Sequence, residues 1–389
     1  MEYKGKRILL FDGYGRQVPT LLKQFHELGC KVTTINDSKL DIGYSSRYPA
    51  NKMIIKGCRE DALLLRPYLE KMLAAEEYDV LFPLLEKTTD LVLSLQEEGK
   101  LKKEKVIAAP RQAFMKAYDK QETMKVCMEN GIPCPKSKLE DETLEQYLAK
   151  VQFPLACKPR KGSGAAGFKI VENKDQLFSL IDSNSIMPEE YVFQEYIPHT
   201  DSHYGVYLMF DQQGECSYSV VVQSCRQFPV DGGPGCFIRT INNEQIKRDS
   251  ERLLKLLGWK GFGHVGLIMD PRDGVAKVME INGRIPAGIK ICNCVGIPSV
   301  KLLLDGVYGE PVEKYDGFPE NIGLRHFQAD LMWLLKSPNR FKAKPSWFNF
   351  SRSYDYVFSW KDPIPFLTYS IEHVLSYRRD MKKREHYNP

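Results

Sequence analysis

Short apolar runs alternate with longer amphipathic segments over the first 112 residues. The apolar, β-prone runs are residues 8–11, 31–35, 53–55 and 80–83, and helical periodicity covers residues 18–28 and 70–77. Strands that alternate with helices in this way predict an open, mostly parallel sheet covered by helices. We therefore expect residues 1–112 to form an α/β domain.

Residues 113–310 have a different pattern, in which hairpins replace the regular alternation. Helical periodicity covers residues 120–130, 139–150 and 244–257, and β-prone segments cover residues 205–210, 218–223, 263–270 and 275–282. The turn Pro271-Arg-Asp-Gly between the last two segments is a strong hairpin signal. We predict two α+β lobes, residues 113–190 and 191–310, followed by an accessory segment, residues 311–389.

The stretch KPRKGSGAAGF, residues 158–168, carries two phosphate-loop patterns, and neither fits its context. Gly162, Gly164 and Gly167 spell G-x-G-x-x-G, but a dinucleotide fingerprint needs a helix after the glycines, and residues 168–171 are β-prone. The glycines also have P-loop spacing, yet the Gly-Lys-Ser/Thr ending is absent. The segment is therefore predicted to be a hairpin loop with accessible backbone N–H groups, either a lid over a triphosphate or an ordinary turn.

Composition excludes several classes of protein. The chain has 389 residues, a net charge of +5 and a mean hydropathy of −0.37, which are values of an ordinary globular protein. No long basic run interleaved with aromatic residues is present outside the C-terminus, so nucleic acid is not the expected partner. No apolar run reaches the length of a transmembrane segment and no signal peptide is recognisable, so we expect a cytoplasmic protein. The ten cysteines are expected to be reduced thiols.

The stretch VMEINGR contains the clearest candidate metal ligands. Glu280 and Asn282 are two residues apart on a predicted strand, so both side chains face the same way. Mg²⁺ that carries nucleotide phosphates is usually bound by one or two carboxylates, with phosphate and water as the other ligands. Arg284 comes next on that face and could meet a transferred phosphoryl group or its acceptor. A surface ladder of polar side chains is the alternative interpretation.

Three further sets of residues could take part in the same phosphate chemistry. Lys120 and Lys158 would neutralise a polyphosphate in a dry cleft, or they could be ordinary surface lysines. The stretch FQEYIP places apolar side chains beside backbone groups that could bind the edge of an adenine. Arg226 is a candidate for contact with a γ-phosphate or an acyl phosphate.

In this order the motifs resemble the ATP-grasp superfamily, especially members similar to the carbamoyl phosphate synthetase large subunit and to carboxylate-amine ligases. The matching motifs are AYDK with Lys120, GIPCP, ACKPRKGSGAAG with Lys158, QEYIP with Glu195, Arg226, and DPRDGVAKVMEINGR. The N-terminal ILLFDGYGR and DVLFPLLEKTTD resemble the Rossmann-like domain that precedes the ATP-grasp domain in that family. The resemblance covers residues 1–310.

The resemblance implies that ATP and Mg²⁺ are bound between the two lobes, and it gives a role to a set of residues. The ATP-binding residues would be Lys120, Lys158, Ser163, Gly164, Glu195, Tyr196, Ile197, Asp201 and His203. The metal ligands would be Glu280, Asn282 and Asp270, and the catalytic residues would be Lys158, Arg226 and Arg284. The reaction would phosphorylate a substrate carboxylate and join it to an amine as an amide or peptide bond, with release of ADP and phosphate.

One position departs from the family's pattern. Many relatives carry an acidic residue or glutamine on the strand that precedes the Glu-x-Asn strand, whereas this chain has Gly266 there. Asp270 shares that strand face but lies at the hairpin end, and the imidazole of His264 is a poor match for Mg²⁺. A nucleotide-binding regulatory protein without turnover therefore stays an alternative to the ligase, and carbamoyl-phosphate-type carboxyphosphate chemistry stays a third.

Residues 311–389 lie outside the resemblance. They are rich in aromatic residues and end in a basic amphipathic segment. A helix packed on the lobes with a solvated charged face is the plainer interpretation, and contact with a membrane surface or a lipid-linked substrate is the other. The expected partners of the chain are a small-molecule carboxylate and an amine, and a homo-oligomer is left open.

Overall fold

A computed structural model describes the chain except for Met1 and residues 163–166, 199–202, 231–232 and 386–389, with side chains described up to residue 376. Within this part, the strands form three sheets. The first contains β1 (Arg7–Leu10), β2 (Lys31–Asn36), β3 (Asn51–Ile54), β4 (Val80–Phe82) and β5 (Lys105–Val106). The second contains β6 (Leu155–Pro159), β7 (Lys169–Val171) and β8 (Tyr191–Glu195). The third contains β9 (His203–Phe210), β10 (Cys216–Gln227), β11 (Gly235–Thr240), β12 (Gly261–Met269), β13 (Ala276–Asn282), β14 (Gly323–Arg325) and β15 (Ser353–Asp355).

Helices connect and cover these sheets. They are α1 (Val18–Glu27), α2 (Ile42–Ser45), α3 (Arg66–Ala74), α4 (Glu86–Glu97), α5 (Arg111–Tyr118), α6 (Lys120–Glu129), α7 (Leu144–Leu148), α8 (Lys174–Asp182), α9 (Glu244–Leu256), α10 (Lys290–Cys294), α11 (Ser299–Tyr308), α12 (Phe327–Lys336) and α13 (Ile364–Glu385). No single described helix is both long and apolar enough to cross a bilayer, and one helix pair, Ala287–Cys294 with Ser299–Tyr308, reaches that length and composition only across a 102° bend.

The N-terminal sheet is parallel, as the alternating pattern predicted. Its strand order is β3-β2-β1-β4-β5. Ile8 and Leu10 belong to one buried cluster and Leu9 and Phe11 to another, because both faces of β1 are covered. The chain runs from β1 to β2 on one side, and β4 lies on the other side. The strand order therefore reverses between β1 and β4.

The second sheet is antiparallel, with the order β7-β6-β8. Its β6 and β7 flank the glycine-rich segment, so the predicted hairpin is confirmed. Strand β8 also pairs with β6, which means that residues 191–195 complete the sheet of the first lobe. The lobe boundary predicted after residue 190 therefore cuts through this sheet.

The third sheet has the order β13-β12-β9-β10-β11-β14-β15 and includes the C-terminal segment. Strand β14 pairs antiparallel with β11, and β15 pairs parallel with β14. The predicted accessory segment after residue 310 thus contributes two strands that extend the sheet of the second lobe. Each has only three residues, too few to show a periodic pattern.

Helix α13 packs on the N-terminal domain, whereas the plainer interpretation of the C-terminal segment expected a helix packed on the two lobes. The Thr368 hydroxyl donates to Ser45 Oγ at 2.9 Å, and the Glu372 carboxylate forms an ion pair with Arg59. Just before the helix, the buried Asp362 carboxylate accepts a hydrogen bond of 2.6 Å from the Ser46 hydroxyl. The C-terminal segment therefore contacts both the N-terminal domain and the second lobe.

Helix α7 differs most from its predicted extent of residues 139–150. It begins five residues later, because the Thr143 hydroxyl accepts from the backbone N–H of Gln146 and the Gln146 side chain accepts from the N–H of Thr143. This reciprocal pair is a capping box, which sets a helix start.

Candidate active site

The β12–β13 hairpin places two oxygen ligands side by side. Glu280 lies opposite Gly266 and Asn282 lies opposite His264. The Asn282 amide nitrogen donates to Glu280 Oε1 at 3.1 Å and is 3.2 Å from His264 Nδ1. Among the described residues, nothing donates to Glu280 Oε2 or Asn282 Oδ1. A carboxylate oxygen and an amide oxygen are therefore presented together, which is the donor chemistry that Mg²⁺ prefers.

Two lysines from different elements face this carboxylate. Lys120 is the first residue of α6, which begins there because the Asp119 side chain accepts from the N–H of Gln121. Its ammonium donates to the backbone oxygens of Gly162, at 2.7 Å, and Pro159, at 3.4 Å. Lys120 therefore ties the start of α6 to the start of the glycine-rich loop.

Lys158 lies on β6 and is half-buried. Its ammonium makes no hydrogen bond or ion pair with any described residue. Burial lowers the pKa of Lys158 to about 8, although the Glu280 carboxylate opposes the shift. A half-buried ammonium without a hydrogen-bonded partner is well suited to a phosphate ligand, because it has already lost part of its hydration.

The Glu280 carboxylate is kept ionised by its surroundings, which include the ammonium groups of Lys120 and Lys158. Burial alone would raise the pKa of the Glu280 carboxyl, but Lys120, the hydrogen bond from Asn282, Lys158 and Arg284 together outweigh burial and the net shift is downward. The pKa of Lys120 is itself lowered by burial, against the attraction of Glu280. The cluster therefore contains an ionised carboxylate among cations that it only partly neutralises.

Arg284 follows β13 and connects this cluster to the N-terminal domain. Its Nε donates to Glu86 Oε1 at 2.7 Å, and its side chain is 20% exposed. Glu86 is the first residue of α4, directly after β4, where the carboxyl end of a parallel strand meets a helix N-terminus. Sequence analysis missed Glu86, and its position after a buried strand is the signal that could have identified it.

Gly266 is paired with Glu280 across the hairpin, at the position where many relatives carry an acidic residue or glutamine. A side chain at this position would place its Cβ 3.3 Å from Glu280 Cγ and 3.8 Å from Oε1. Burial, with help from Arg284, lowers the pKa of the neighbouring His264 to about 4, so its imidazole is neutral. No group of three His, Cys, Asp or Glu side chains in the described ranges could hold a metal ion. The oxygen donors are thus one carboxylate and one amide.

The structure does not bring Asp270 to this cluster. Its side chain is fully buried, and its oxygens accept from Arg272 Nε at 2.8 Å and from Lys277 Nζ at 2.5 Å. Hydrogen bonds from Arg272 and Lys277 hold the pKa of Asp270 far below its usual range. The predicted metal ligand Asp270 is therefore an ion-pair partner at the hairpin turn, where its oxygens are already occupied.

Arg226 is also placed differently from the prediction. Its side chain is fully buried and its guanidinium bonds both oxygens of Asp330, at 2.6 and 3.0 Å. The same guanidinium donates to the backbone oxygen of Pro345 at 2.9 Å and lies 4.3 Å from the ring centre of Phe237. The structure therefore gives Arg226 a structural role in place of the predicted contact with phosphate.

The segment predicted to contact adenine follows β8. Glu195 Oε1 accepts from the N–H of Lys136 at 3.0 Å, and Glu195 Oε2 accepts from Arg272 at 3.2 Å. The Glu195 carboxylate is therefore engaged by the protein, and an adenine contact would have to come from backbone groups of Glu195 to Ile197. Ile197 is buried, and Tyr196 donates its N–H to Pro154 O at 3.3 Å.

The remaining predicted ATP-binding residues are only partly described. His203 begins β9, and its Nδ1 lies 2.5 Å from Gln227 Nε2. Ser163, Gly164 and Asp201 lie outside the described residues. The roles of these residues toward phosphate, adenine and ribose stay predictions.

A cavity of about 570 Å³ opens beside Arg284. Residues of the N-terminal domain, among them Pro83 and Glu104, line one side, and Phe262 and Leu303 line the other. Glu104 Oε1 is buried and has no hydrogen-bond partner in the described part of the chain. The cavity therefore combines direct access to Arg284 with one carboxylate oxygen that is not satisfied by the protein.

Comparisons with known proteins agree with this geometry. Residues 117–288 match the family model for the ATP-grasp domain. The carbamoyl phosphate synthase large chain of Xylella fastidiosa (strain 9a5c) is 26% identical over 262 residues, which are 62% of this chain and 24% of that protein. The D-alanine–D-alanine ligase of Bacillus anthracis is 24% identical over 208 residues, 48% of this chain and 64% of that protein.

The solved structure of L-amino acid ligase from Bacillus licheniformis has a similar fold, with a TM-score of 0.61 and 18% identity over 82% of this chain and 79% of that one. The match to this chain covers only 24% of the length of the carbamoyl phosphate synthase large chain. The fold, the family match and the ordered motifs agree with one another. Residues 117–288 of this chain are therefore an ATP-grasp domain, which confirms the resemblance carried by its motifs.

Proposed function

We propose that this protein is an ATP-dependent ligase that joins a carboxylate to an amine through an acyl phosphate and releases ADP and phosphate. The observation that carries the proposal is the cluster around Glu280, in which Lys120, Lys158 and Arg284 supply more positive charge than the nearby carboxylates neutralise. Polyphosphate is the ligand that such a cluster attracts, since it brings several negative charges to one place.

The residues present fit ATP with Mg²⁺. Glu280 Oε2 and Asn282 Oδ1 would hold the metal ion, and Lys120 and Lys158 would hold the phosphates. Magnesium-bound ATP supplies the phosphoryl group and neutralises part of its charge. A site with one carboxylate leaves more of the metal's coordination to phosphate oxygens and water than a two-carboxylate site does.

The chain's own part is to position the reactants and to balance charge. Arg284, held by Glu86, would orient the acid so that a carboxylate oxygen meets the terminal phosphorus as the bond to ADP breaks. The amine nitrogen would then bond to the acyl carbon, phosphate would leave, and the nitrogen would lose a proton. Lys158 would remain beside the transferred group and stabilise its negative charge in both steps.

The amine has a candidate position in the cavity beside Arg284. Glu104 lines this cavity, and its carboxylate would attract an ammonium group placed there. Relatives and structural neighbours named D-alanine–D-alanine ligase and L-amino acid ligase support an amino-acid substrate class for the proposal.

The test is phosphate release with Mg²⁺-ATP against pooled carboxylates and amines. We expect release that depends on the pool, and a loss of about 10²–10³-fold in Glu280→Gln, because the metal-binding carboxylate is removed. Glu145→Gln changes an exposed glutamate of α7 and is the matched control. Products of AMP and pyrophosphate would contradict the acyl-phosphate mechanism.

The second candidate is a protein that binds nucleotide without turnover, and Gly266 is the observation that favours it. No carboxylate of β12 stands opposite Glu280. Tight ATP binding without phosphate release in any pool would support this candidate. Bicarbonate-dependent release without an added carboxylate would instead support carboxyphosphate chemistry.

A further inference from the structure

The N-terminal sheet has a crevice where ligands bind in open α/β folds. Such sheets bind ligands at the carboxyl ends of their strands, at the point where the strand order reverses. In this sheet that point lies between β1 and β4. Arg16 lies in the loop that follows β1. The loop that follows β4 ends at Glu86, which is hydrogen-bonded to Arg284. The crevice therefore adjoins the candidate active site.

Arg16 is half-buried in this crevice under the C-terminal segment. Its Nη1 lies 2.7 Å from His326 Nδ1, and its guanidinium carbon lies 5.5 Å from the ring centre of Tyr356. His326 and Tyr356 are both buried. Arg16 makes no ion pair with any residue of the described ranges, in contrast to Arg59 and Arg226. A guanidinium that is enclosed by a neutral imidazole and an aromatic ring still lacks an anion.

The hydrogen bonds around Arg16 have a fixed direction. A guanidinium can only donate, so His326 Nδ1 accepts and the ring proton is on Nε2. That Nε2–H donates to the Tyr369 hydroxyl oxygen at 3.0 Å. The Tyr369 O–H and the remaining N–H groups of Arg16 are then donors without a described acceptor. The N–H groups of a guanidinium form a planar fork that is complementary to a carboxylate.

Tyr207 links this crevice to Arg284. Its phenol is buried, and burial raises its pKa, while the charges of Arg284 and Arg16 both act in the opposite direction. Both guanidinium groups therefore lie near one phenol. Its ring also contacts His264, the neighbour of Asn282, at 4.9 Å between ring centres. Tyr207 is thus a buried neighbour of both the Glu280 cluster and the crevice.

We propose that Arg16 forms a binding subsite for a carboxylate of the acid that this protein activates. The proposal rests on the proposed ligase function, and it assigns substrate specificity to the contact between the N-terminal domain and the C-terminal segment. The carboxylate is either the one that is phosphorylated or a second acid group on the same molecule. The alternative is that Arg16 only fastens His326 in place.

The experiment follows the His326 ring signals by NMR in ¹⁵N-histidine-labelled full-length protein, assigned with His326→Asn. Butyrate, with one carboxylate, and succinate, with two, are the probes, and sodium chloride at equal ionic strength is the reference. The variants are Arg16→Gln and Arg16→Lys. Arg47→Gln is the matched control, because Arg47 lies at the same contact and its side chain bonds only the backbone oxygen of Lys361.

We expect at least one probe to shift the His326 signals in the wild type and in Arg47→Gln, and to bind about tenfold or more weakly to Arg16→Gln. Arg16→Lys keeps the charge and loses the planar fork, so we expect intermediate binding. A shift with both probes indicates the reacting carboxylate, and a shift with succinate alone indicates a second acid group.

Three results would overturn the proposal. They are no shift with either probe in the wild type, equal binding in the wild type and Arg16→Gln, and an equal shift with chloride. If Arg16→Gln does not fold, Arg16→Lys decides by the same criteria. The assay contains no ATP, so its failure leaves phosphate release untouched. Carboxylate binding without any turnover would instead contradict the ligase and keep the subsite.

Discussion

The two ends of the β12–β13 hairpin carry charged clusters of opposite character. At the turn, Asp270, Glu195 and the exposed Asp273 meet Arg272 and Lys277, so both cations have carboxylate partners within the protein. At the other end, Glu280 and Arg284 belong to a cluster in which cations exceed carboxylates. We call the first cluster the closed network, because its charges are paired within the protein, and the second the open network, because its cations are in excess. The same pair of strands supports both.

This difference separates structural charges from functional ones. In the closed network each side chain has a partner within the protein, and removing one partner leaves a buried charge uncompensated. In the open network Lys158 has no hydrogen-bonded partner among the described residues, and its lowered pKa records the cost of burial. Variants of the closed network should affect stability, and variants of the open network should affect nucleotide binding.

The largest expected effect on stability is at Arg226, whose buried pair with Asp330 is a second closed network. Arg226→Met should lower the free energy of unfolding by about 3 kcal/mol, because the buried Asp330 carboxylate loses its two hydrogen bonds from Arg226 and keeps only the ion pair with Arg325. Urea denaturation measures the change, with Arg248→Met as control, since the Arg248 side chain is 73% exposed. Normal stability with lost phosphate release would show that Arg226 serves catalysis after all.

A smaller effect is expected at the hairpin turn. Asp270→Asn should lower the free energy of unfolding by about 2 kcal/mol, because Lys277 and Arg272 lose their charged acceptor. ATP affinity should stay unchanged, which calorimetric titration with Mg²⁺-ATP measures. Asp273→Asn removes an exposed carboxylate from the same lysine, 3.2 Å away, and should change stability little. A large loss of metal-dependent ATP binding in Asp270→Asn would restore Asp270 as a metal ligand.

The smallest expected effect is the pH dependence of ATP binding at the open end. Lys158 has a pKa lowered to about 8, so its ammonium is present below that pH and is lost as the pH rises through it. ATP affinity should therefore fall above pH 8, by at most about tenfold per pH unit. Lys158→Arg keeps its charge at these pH values and should flatten the profile measured by titration. An identical fall in both proteins would assign the titration to another group.

Sequence patterns predicted the features that depend on neighbouring residues. The spacing of Glu280 and Asn282 gave their common strand face, and the β-prone residues on both sides of the glycine-rich segment gave its hairpin. The parallel N-terminal sheet followed from the alternation of strands and helices. Each of these rests on a period of two or on helical spacing, which is visible within a short window.

Features that depend on distant residues could not be predicted in this way. Arg226 was expected to contact phosphate because nothing near it in sequence indicates its partner Asp330, which is 104 positions away. Glu86 and Arg284 are 198 positions apart, and Arg16 and His326 are 310 apart. The pairing of such residues is decided by the packing of domains, for which a single sequence has no local pattern.

The position of β14 and β15 at the edge of the third sheet also concerns the order in which the chain is synthesised. Strand β11 has no partner on its outer side until residues 323–325 have been made, more than eighty residues after β11 ends at Thr240. An unpaired strand edge is a template for association with other chains. During translation, the second lobe would therefore expose this edge until late, and a nascent chain stalled before β14 should be a preferred substrate for chaperones.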